Sequence, residues 1–130
     1  MIFVNTSAII AILAKEQEAE AFTLLLAAEP QVCTSAVVVL EAVMRLSTMK
    51  NAEPEAVRLL VTDWMASKSV SIVAVDLDTL GHAVNAFARY GKGRHPARLN
   101  FADCLSYACA KAAGGRLLYK GNDFARTDMG

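Results

Sequence analysis

The chain has 130 residues, 55% of them hydrophobic, and its 13 Lys and Arg balance its 13 Asp and Glu. This length and apolar content suit a single domain, residues 1–130, whose core is large enough to fold without disulfide or metal cross-links. No secretory leader is recognisable and no apolar run approaches the roughly 18 residues of a membrane span, so we expect a cytoplasmic protein with no membrane partner.

The chain opens with a predicted buried strand, Ile2 to Val4, that runs directly into a polar triplet, Asn5, Thr6 and Ser7. Residues of this triplet are typical of helix N-termini, and a short helix ending near Ala14 is predicted to follow. Ligands bind at the carboxyl ends of the strands in open α/β sheets. The side chain of Asn5 is therefore expected to face a binding site.

Strands and helices are predicted to alternate along the rest of the chain. Their bounds are helix 16–28, strand 31–34, helix 36–49 after the cap Ser35, helix 55–67 after Pro54, strand 70–75, a helix from Asp76 or Asp78 to Tyr90, helix 101–113 after the cap Asn100, and strand 116–119. The apolar run 70–75 predicts a strand buried on both faces. Helix pairs between strands predict an α/β fold, a three-layer α/β/α sandwich around a parallel sheet of four to five strands.

Glu41 lies about two turns into the helix that follows the second strand, inside the apolar run Val37 to Met44. A carboxylate in such surroundings is expected to be at least partly buried, which is costly unless the charge is paired or binds a metal. Arg45 stands four residues further on, at a spacing common for helical ion pairs. The pattern leaves both interpretations of Glu41 open.

Two further acids follow predicted element boundaries. Asp103 stands in the first turn of a helix, where the helix dipole alone favours an acid, and Asp123 stands in a turn, where Asp is common. Together with Asn5 and Glu41, however, they all fall at or soon after places where the chain leaves the carboxyl edge of the sheet or begins a helix. Four such positions predict an oxygen-only pocket for Mg²⁺ or Mn²⁺ and not for zinc.

Charge is unevenly distributed along the chain. Residues 1–65 hold eight acids and four Lys or Arg, whereas residues 66–130 hold five and nine, giving formal charges of about −4 and +4. The densest basic stretch is interrupted by Gly91, Gly93 and Pro96, which predicts an exposed, mobile loop. Its basic residues are Arg89, Lys92, Arg94, His95 and Arg98. This asymmetry permits a nucleic-acid partner for the second half.

Other site chemistries find little support in the sequence. It contains no glycine-rich phosphate loop, no Gly-x-Ser-x-Gly elbow and no Cys/His nucleophile pair. Three cysteines in apolar surroundings, without Cys-x-x-Cys spacing, predict reduced core thiols. They are Cys33, Cys104 and Cys109. Trp64 and Met65 are interpreted as core or interface residues, and neither His82 nor His95 has a visible partner for acid–base chemistry.

Four segments in order along the chain resemble the four motif regions of PIN-domain ribonucleases, and most of all those of the VapC toxins of bacterial toxin–antitoxin pairs. These segments are Val4-Asn5-Thr6-Ser7-Ala8, Thr34-Ser35-Ala36 leading to Glu41, Leu99-Asn100-Phe101-Ala102-Asp103-Cys104, and Lys120-Gly121-Asn122-Asp123-Phe124. The resemblance covers essentially the full chain. It implies a Mg²⁺ or Mn²⁺ site for one or two ions, built from positions 5, 41, 103 and 123.

The same resemblance implies supporting roles for Thr6, Ser7 and Asn100, and it makes Asp128 a candidate fifth acid. The implied reaction is endonucleolytic cleavage of single-stranded or loop RNA, often tRNA, by a water activated by the cation. The basic residues implied to contact the RNA backbone are Arg89, Lys92, Arg94 and Arg98. A cognate antitoxin and a second copy of the chain are the implied protein partners.

The family carries aspartate at position 5, where this chain has Asn5. The exchange keeps the shape of the side chain but removes a full negative charge, so we expect weaker metal binding and a much reduced activity. The alternative is a catalytically inactive PIN-like module that only binds an antitoxin. A phosphatase or receiver-like domain is a poor third choice, because its chemistry requires a nucleophilic Asp at the end of the first strand.

Overall fold

The computed structural model describes all 130 residues as a parallel four-stranded sheet flanked by six α-helices. The strands lie side by side in the order β3-β2-β1-β4. The element bounds are β1 Ile2–Val4, α1 Thr6–Leu13, α2 Ala19–Ala28, β2 Val32–Thr34, α3 Ala36–Lys50, α4 Pro54–Ser67, β3 Ser71–Ile72, α5 Leu77–Tyr90, α6 Phe101–Ala113 and β4 Arg116–Leu118, followed by a 3₁₀ turn, Phe124–Arg126. The predicted α/β architecture and the predicted order of elements are confirmed.

The first strand, β1, forms the centre of the sheet. It pairs in parallel with β2 on one side and with β4 on the other. All three of its residues are buried, and Phe3 and Val4 are completely inaccessible to solvent. Because a central parallel strand is covered on both faces by helices, its sequence is a continuous apolar run. The polar residue that ends this run, Asn5, is thereby held at the middle of the sheet's carboxyl edge.

Local capping chemistry sets where the helices begin and end. The Ser35 hydroxyl accepts a hydrogen bond from the backbone N–H of Val38 at 3.3 Å, which starts α3 as predicted. Asp76, one of the two predicted caps, accepts from the backbone N–H of Thr79 and starts α5. Gly114 takes a left-handed conformation with φ of 67° and ends α6.

Two predicted elements differ from the observed ones. The stretch predicted as a strand buried on both faces, residues 70–75, forms only the two-residue strand Ser71–Ile72, and both residues are exposed. The reason is its position at the edge of the sheet, where it pairs with β2 alone. The helix predicted from Glu16 begins only at Ala19, after Lys15 has turned the chain with a φ of 55°.

The core explains several apolar residues singled out in the sequence. All three cysteines are free and buried, as predicted for reduced core thiols. Trp64 and Met65 are buried in the same apolar cluster as β1. None of the helices combines the length and the apolar character that crossing a bilayer would require.

Candidate active site

A cavity of about 230 Å³ opens at the carboxyl ends of β1 and β4. Nine of the ten residues around it are polar or charged, and they come from four separate segments of the chain. The lining residues are Asn5, Thr6, Ser7, Glu41, Arg45, Asn100, Asp103, Lys120, Asp123 and Phe124. The structure thus brings together the four positions of the predicted acidic site, 5, 41, 103 and 123, and the three supporting residues Thr6, Ser7 and Asn100, but not the candidate fifth acid Asp128.

Asn5 lies at the floor of this cavity and is only 5% exposed. Its backbone N–H donates to the carbonyl of Leu118 at 3.0 Å, which extends the pairing of β1 with β4 by one residue. Its side-chain Nδ2 donates to the Ser7 hydroxyl at 2.9 Å. Its Oδ1 is buried without any hydrogen-bond partner. A buried oxygen without a donor is costly, so this atom is well suited to accept a cation or a donor from a ligand.

The hydroxyl of Ser7 connects two sides of the site. Besides accepting from Asn5, it accepts a hydrogen bond from the backbone N–H of Lys120 at 2.9 Å. This contact ties the start of α1 to the segment that leaves β4. Ser7 therefore fixes the distance between two of the four segments that form the cavity.

Glu41 is partly buried, and its partner is a hydroxyl rather than a guanidinium. The Thr6 side chain, 1% exposed at the start of α1, donates a hydrogen bond to Oε1 of Glu41. The helical ion pair with Arg45 that the sequence left open is not formed. The Thr6 contact occupies one oxygen of the Glu41 side chain, which lines the cavity.

Asn100 and Asp103 form a reciprocal cap at the start of α6. Asn100 Oδ1 accepts from the backbone N–H of Asp103 at 2.9 Å, and Asp103 Oδ2 accepts from the backbone N–H of Asn100 at 3.2 Å. Asp103 is thus positioned by its own helix terminus, as expected from its place in the first turn. The bond to Oδ2 leaves the carboxylate one further oxygen for a ligand.

The pKa of Asp103 reports the electrostatics of the cavity. Burial is the main cause that raises this pKa to about 6, and repulsion from the nearby carboxylates of Asp123 and Glu41 raises it further. The backbone N–H of Asn100 and the guanidinium of Arg45 act in the opposite direction. A carboxyl whose pKa is raised by burial, and further by neighbouring carboxylates, is typical of a site that a cation would stabilise.

Asp123 reaches the cavity through a turn that requires glycine. Gly121 has a φ of 107°, a conformation that side-chain-bearing residues rarely adopt, and it redirects the chain after β4. Asp123 then begins the 3₁₀ turn at the cavity rim. This carboxylate is exposed, in contrast to the buried Asn5 opposite it.

The donor set fits a hard divalent cation in its chemistry. It consists of carboxylate, amide and hydroxyl oxygens, which Mg²⁺ and Mn²⁺ prefer, and no thiol or imidazole lines the cavity. In the present side-chain arrangement, no three His, Cys, Asp or Glu side chains are close enough to one another to hold one ion. A cation would therefore have to draw the carboxylates of Glu41, Asp103 and Asp123 closer together.

Two cations line the cavity that the sequence did not assign to the site. Lys120 directs its ammonium outward to Glu16 at 3.1 Å and Glu18 at 3.4 Å. Arg45 belongs to none of the ion pairs in the structure. The one available signal was the spacing of Arg45 from Glu41, which places both on the same face of α3.

The basic stretch ends at Arg98, two residues before Asn100, which lines the cavity. Its ends are joined by a β-bridge between Gly91 and Leu99, and Lys92 donates its backbone N–H to Leu99 at 2.9 Å. Lys92, Arg94 and Arg98 have exposed side chains, with Arg94 stacked over the ring of Phe87. The prediction that this stretch is exposed is confirmed, and its mobility stays a prediction.

Arg89 and Asp128 take part in a separate cluster. The Asp128 carboxylate accepts from the Tyr107 hydroxyl at 2.6 Å and from Lys111 at 2.7 Å, and Arg89 lies 3.8 Å away. Arg89 also donates to the hydroxyl of Tyr90. Asp128 does not line the acidic cavity, so the structure gives it no place as a fifth acid. Burial raises the pKa of Asp128, but the hydrogen bonds from Lys111 and Tyr107 and the charges of Lys111 and Arg89 outweigh it and hold the pKa below its usual value.

An apolar groove of about 550 Å³ runs between α5 and α6. Large apolar side chains along it are exposed, among them Phe101 at 80% and Val84 at 59%. Asn100 lines both this groove and the acidic cavity. An exposed apolar surface of this kind is characteristic of a protein-binding face, and here it adjoins the candidate active site.

Comparisons with known proteins agree with this geometry. The PIN domain family matches residues 2–129. A ribonuclease VapC of Mycolicibacterium smegmatis is 41% identical over 97% of this chain and 95% of its own length. A VapC ribonuclease of Rhizobium meliloti is 39% identical over the whole of both chains, and ribonuclease VapC30 of Mycobacterium tuberculosis is 38% identical over 97% and 94%.

A solved structure supports the fold independently. The crystal structure of Mycobacterium tuberculosis VapC20, described as a sarcin-ricin loop cleaving toxin, superimposes with a TM-score of 0.73 over 96% of this chain and 93% of that one. At 23% sequence identity, this likeness concerns the fold alone. The family match and the full-length relatives carry the assignment, and the chain belongs to the VapC ribonucleases of the PIN domain family.

Proposed function

We propose that this chain is a Mg²⁺- or Mn²⁺-dependent endoribonuclease, the toxin of a type II toxin–antitoxin pair, built as a single PIN-like domain over residues 1–130. The observation that supports this proposal most directly is the shared cavity of Asn5, Glu41, Asp103 and Asp123. The names of the relatives support RNA as the substrate. Structured RNAs with accessible loops, tRNA among them, are the substrates to test first, and a cytoplasmic location is part of this proposal.

One or two cations would be held by the oxygens of Asn5, Glu41, Asp103 and Asp123. A bound cation would lower the pKa of a coordinated water and offset charge on the phosphoryl oxygens and on the leaving 3′ oxygen. Two observations support such an occupant. The Oδ1 of Asn5 is buried without a hydrogen-bond partner and could bind a cation, and a nearby positive charge would favour the ionised form of Asp103, whose pKa is raised.

The chain's own polar residues hold the carboxylates in place. Thr6 fixes one oxygen of Glu41, and the cap formed with Asn100 fixes one oxygen of Asp103. The remaining carboxylate oxygens of Glu41 and of Asp123 are free to orient an attacking water by accepting its hydrogen bond. The Ser7 hydroxyl accepts hydrogen bonds from Asn5 and Lys120 and so holds the end of β1 close to the segment that follows β4.

Asn5 is expected to impair this chemistry. Its Oδ1 remains available, so the amide still offers one oxygen ligand, but that oxygen is neutral. The amide N–H bond to Ser7 would be replaced, in an aspartate, by a hydrogen bond that the Ser7 hydroxyl donates to the carboxylate. Aspartate at position 5 thus fits the existing geometry and adds the missing charge.

Exposed basic residues beside the cavity would contact the RNA backbone. Lys92, Arg94 and Arg98 have side chains open to solvent, whereas the Arg89 guanidinium is engaged by Tyr90 and Asp128. We assign the larger share of RNA binding to the first three residues and a smaller one to Arg89. Because these are phosphate contacts, the affinity should fall as salt concentration rises.

The proposed protein partners are a cognate antitoxin and a second copy of the chain. The exposed apolar side chains along α5 and α6 support a protein partner, because isolated apolar surface of this size is unfavourable in water. Asn100 lines both the groove and the cavity, so an antitoxin segment in the groove would also reach the acidic site.

The test is RNA cleavage by the unsubstituted chain, by Asn5→Asp, and by Asn5→Asp combined with Asp103→Asn. We expect strong cleavage by Asn5→Asp in Mg²⁺ or Mn²⁺, little by the unsubstituted chain, and none by the double variant or in EDTA. Equal and EDTA-resistant cleavage by all three chains would refute the proposal.

Asn5 also favours a second candidate function, that of an inactive PIN-like module that sequesters an antitoxin. The same experiment separates the two functions. The binding module predicts that Asn5→Asp restores no cleavage of any RNA tested while the chain still binds the antitoxin encoded beside it.

A further inference from the structure

Arg45 is the uncommitted positive charge at the acidic cavity. It lies on α3, four residues beyond Glu41, and its exposed side chain lines the same cavity as the carboxylates. No carboxylate lies within 4.0 Å of its guanidinium nitrogens, since it belongs to none of the ion pairs. The second lining cation, Lys120, is already neutralised by Glu16 and Glu18.

The lack of a partner is informative because a partner stands at the favoured spacing. Glu and Arg four residues apart on a helix readily pair, with Glu on the N-terminal side. Here Glu41 instead receives the Thr6 hydroxyl, and the cation that would otherwise neutralise Glu41 stays available. A guanidinium held at the rim of a pocket, beside carboxylates it does not bind, is suited to an anionic ligand.

We propose that Arg45 binds a phosphate of the RNA substrate at the rim of the acidic cavity, donating to its non-bridging oxygens. This inference rests on the proposed ribonuclease function and adds one residue to it. The planar guanidinium fork matches two phosphate oxygens at once, which a lysine ammonium cannot do. Such a contact positions the backbone next to Asn5, Glu41 and Asp103 and opposes the repulsion between the carboxylates and the RNA.

The test measures RNA binding without cleavage. The probe is a fluorescein-labelled, mixed-sequence, single-stranded 20-nucleotide RNA, and anisotropy is recorded in EDTA across a range of salt concentrations. Arg45→Gln removes the charge at an exposed helical position that both residues suit, so the fold is retained. Arg58→Gln is the matched control, because it removes an exposed arginine from α4, away from the cavity.

We expect Arg45→Gln to weaken binding about five- to tenfold and to reduce the slope of log affinity against log salt by about 0.7, the value of one phosphate contact on a single strand. Arg45→Lys should restore the slope but only part of the affinity. Arg58→Gln should change neither. Unchanged binding by Arg45→Gln, an equal loss in Arg58→Gln, or no binding by the unsubstituted chain would overturn the inference.

This outcome is separable from that of the cleavage assay. A chain whose binding depends on Arg45 but that never cleaves RNA, even as Asn5→Asp, would refute the proposed function and leave the phosphate contact standing. If the chain cleaves RNA but its Arg45→Gln variant binds RNA normally, the phosphate contact of Arg45 is refuted and the proposed function stands.

Discussion

The Thr6 hydroxyl donates a hydrogen bond to Oε1 of Glu41, although the two residues stand 35 positions apart in the chain. This bond joins the start of α1 to the second turn of α3 and lies beside Asn5, at the carboxyl edge of the sheet. It supplies a hydrogen-bond donor to a carboxylate whose sequence neighbours, Val37 to Leu40 and Ala42 to Met44, are all apolar. One neutral donor satisfies part of its hydrogen-bonding capacity, and the cavity is open to a cation on the other side.

Thr6→Val should weaken the fold by about 1 kcal/mol, because valine has the same shape but cannot donate to Glu41. Urea unfolding of Thr6→Val, Glu41→Ala and the double variant measures the pairwise coupling directly. Thr62→Val is the control, since the Thr62 hydroxyl bonds only to backbone carbonyls of its own helix. A coupling energy of zero would contradict the assigned role of Thr6.

The raised pKa of Asp103 predicts a pH-dependent stability. Its pKa is about 6 in the folded chain and near 3.8 in the unfolded one, so the folded state holds more protons between these values. The contribution of Asp103 to stability is therefore greatest below about pH 4 and is lost as pH rises through 6. Because this carboxyl is only partly buried, we expect a loss of about 1–2 kcal/mol.

Asp103→Asn should recover that loss, since asparagine keeps the acceptor for the backbone N–H of Asn100 and carries no charge. In EDTA, the variant should be more stable than the parent at pH 7.5 and equal to it at pH 4, as measured by urea unfolding. The control is Asp78→Asn, an exposed acid in the first turn of α5. A gain of the same size at both pH values would show that ionisation of Asp103 in the cavity is not the cause.

The basic residues beside the site should differ in their effect on RNA affinity. Replacing Lys92, Arg94 and Arg98 together by Gln should reduce the salt slope by up to about 2, since each phosphate bound on a single strand adds about 0.7 to the slope. Arg89→Gln should change the slope by less than the roughly 0.7 of one full phosphate contact, because its guanidinium is held by Tyr90 and Asp128. Anisotropy titrations over a salt series distinguish the two variants. A decrease of about 0.7 or more from Arg89→Gln alone would contradict the smaller share of RNA binding assigned to Arg89.

Much of the fold could be predicted from local sequence signals. The run Ile2 to Val4 specified the central strand, and the caps Ser35 and Asn100 specified the starts of two helices, because capping depends on residues three positions away. The edge strand was misjudged because the run 70–75 is apolar enough for a central position. Which strand lies at the edge depends on the order of the whole sheet, which no local pattern encodes.

The acidic site was predictable for a different reason. Strand ends and helix starts can be found in the sequence, and parallel strands bring their carboxyl ends to one edge, so Asn5, Glu41, Asp103 and Asp123 could be expected to converge. Contacts between long side chains could not be predicted in this way. Lys120 reaches back to Glu16, a pairing across more than 100 residues that depends on the folded chain.

Asp128, near the end of the chain, is a second residue whose contacts could not be predicted from the sequence. Asp128 resembled a further site acid in the sequence, yet it is bound by Tyr107 and Lys111 on α6. These partners lie one and two turns further along α6 than Asp103, whose end of the helix borders the cavity. Sequence position alone could not distinguish an acid that lines the cavity from one that fastens the chain's end.

The central claim is that oxygens from four distant segments form one cation site. Isothermal titration with Mn²⁺ tests it in the Asn5→Asp chain and in the same chain carrying Glu41→Gln, Asp103→Asn or Asp123→Asn. Asp63→Asn, which removes an exposed acid on α4, is the control. We predict that each of the three site substitutions weakens Mn²⁺ binding about tenfold or more and that the control does not. Unchanged Mn²⁺ binding in the three site variants, or an equal loss in the control, would contradict the account.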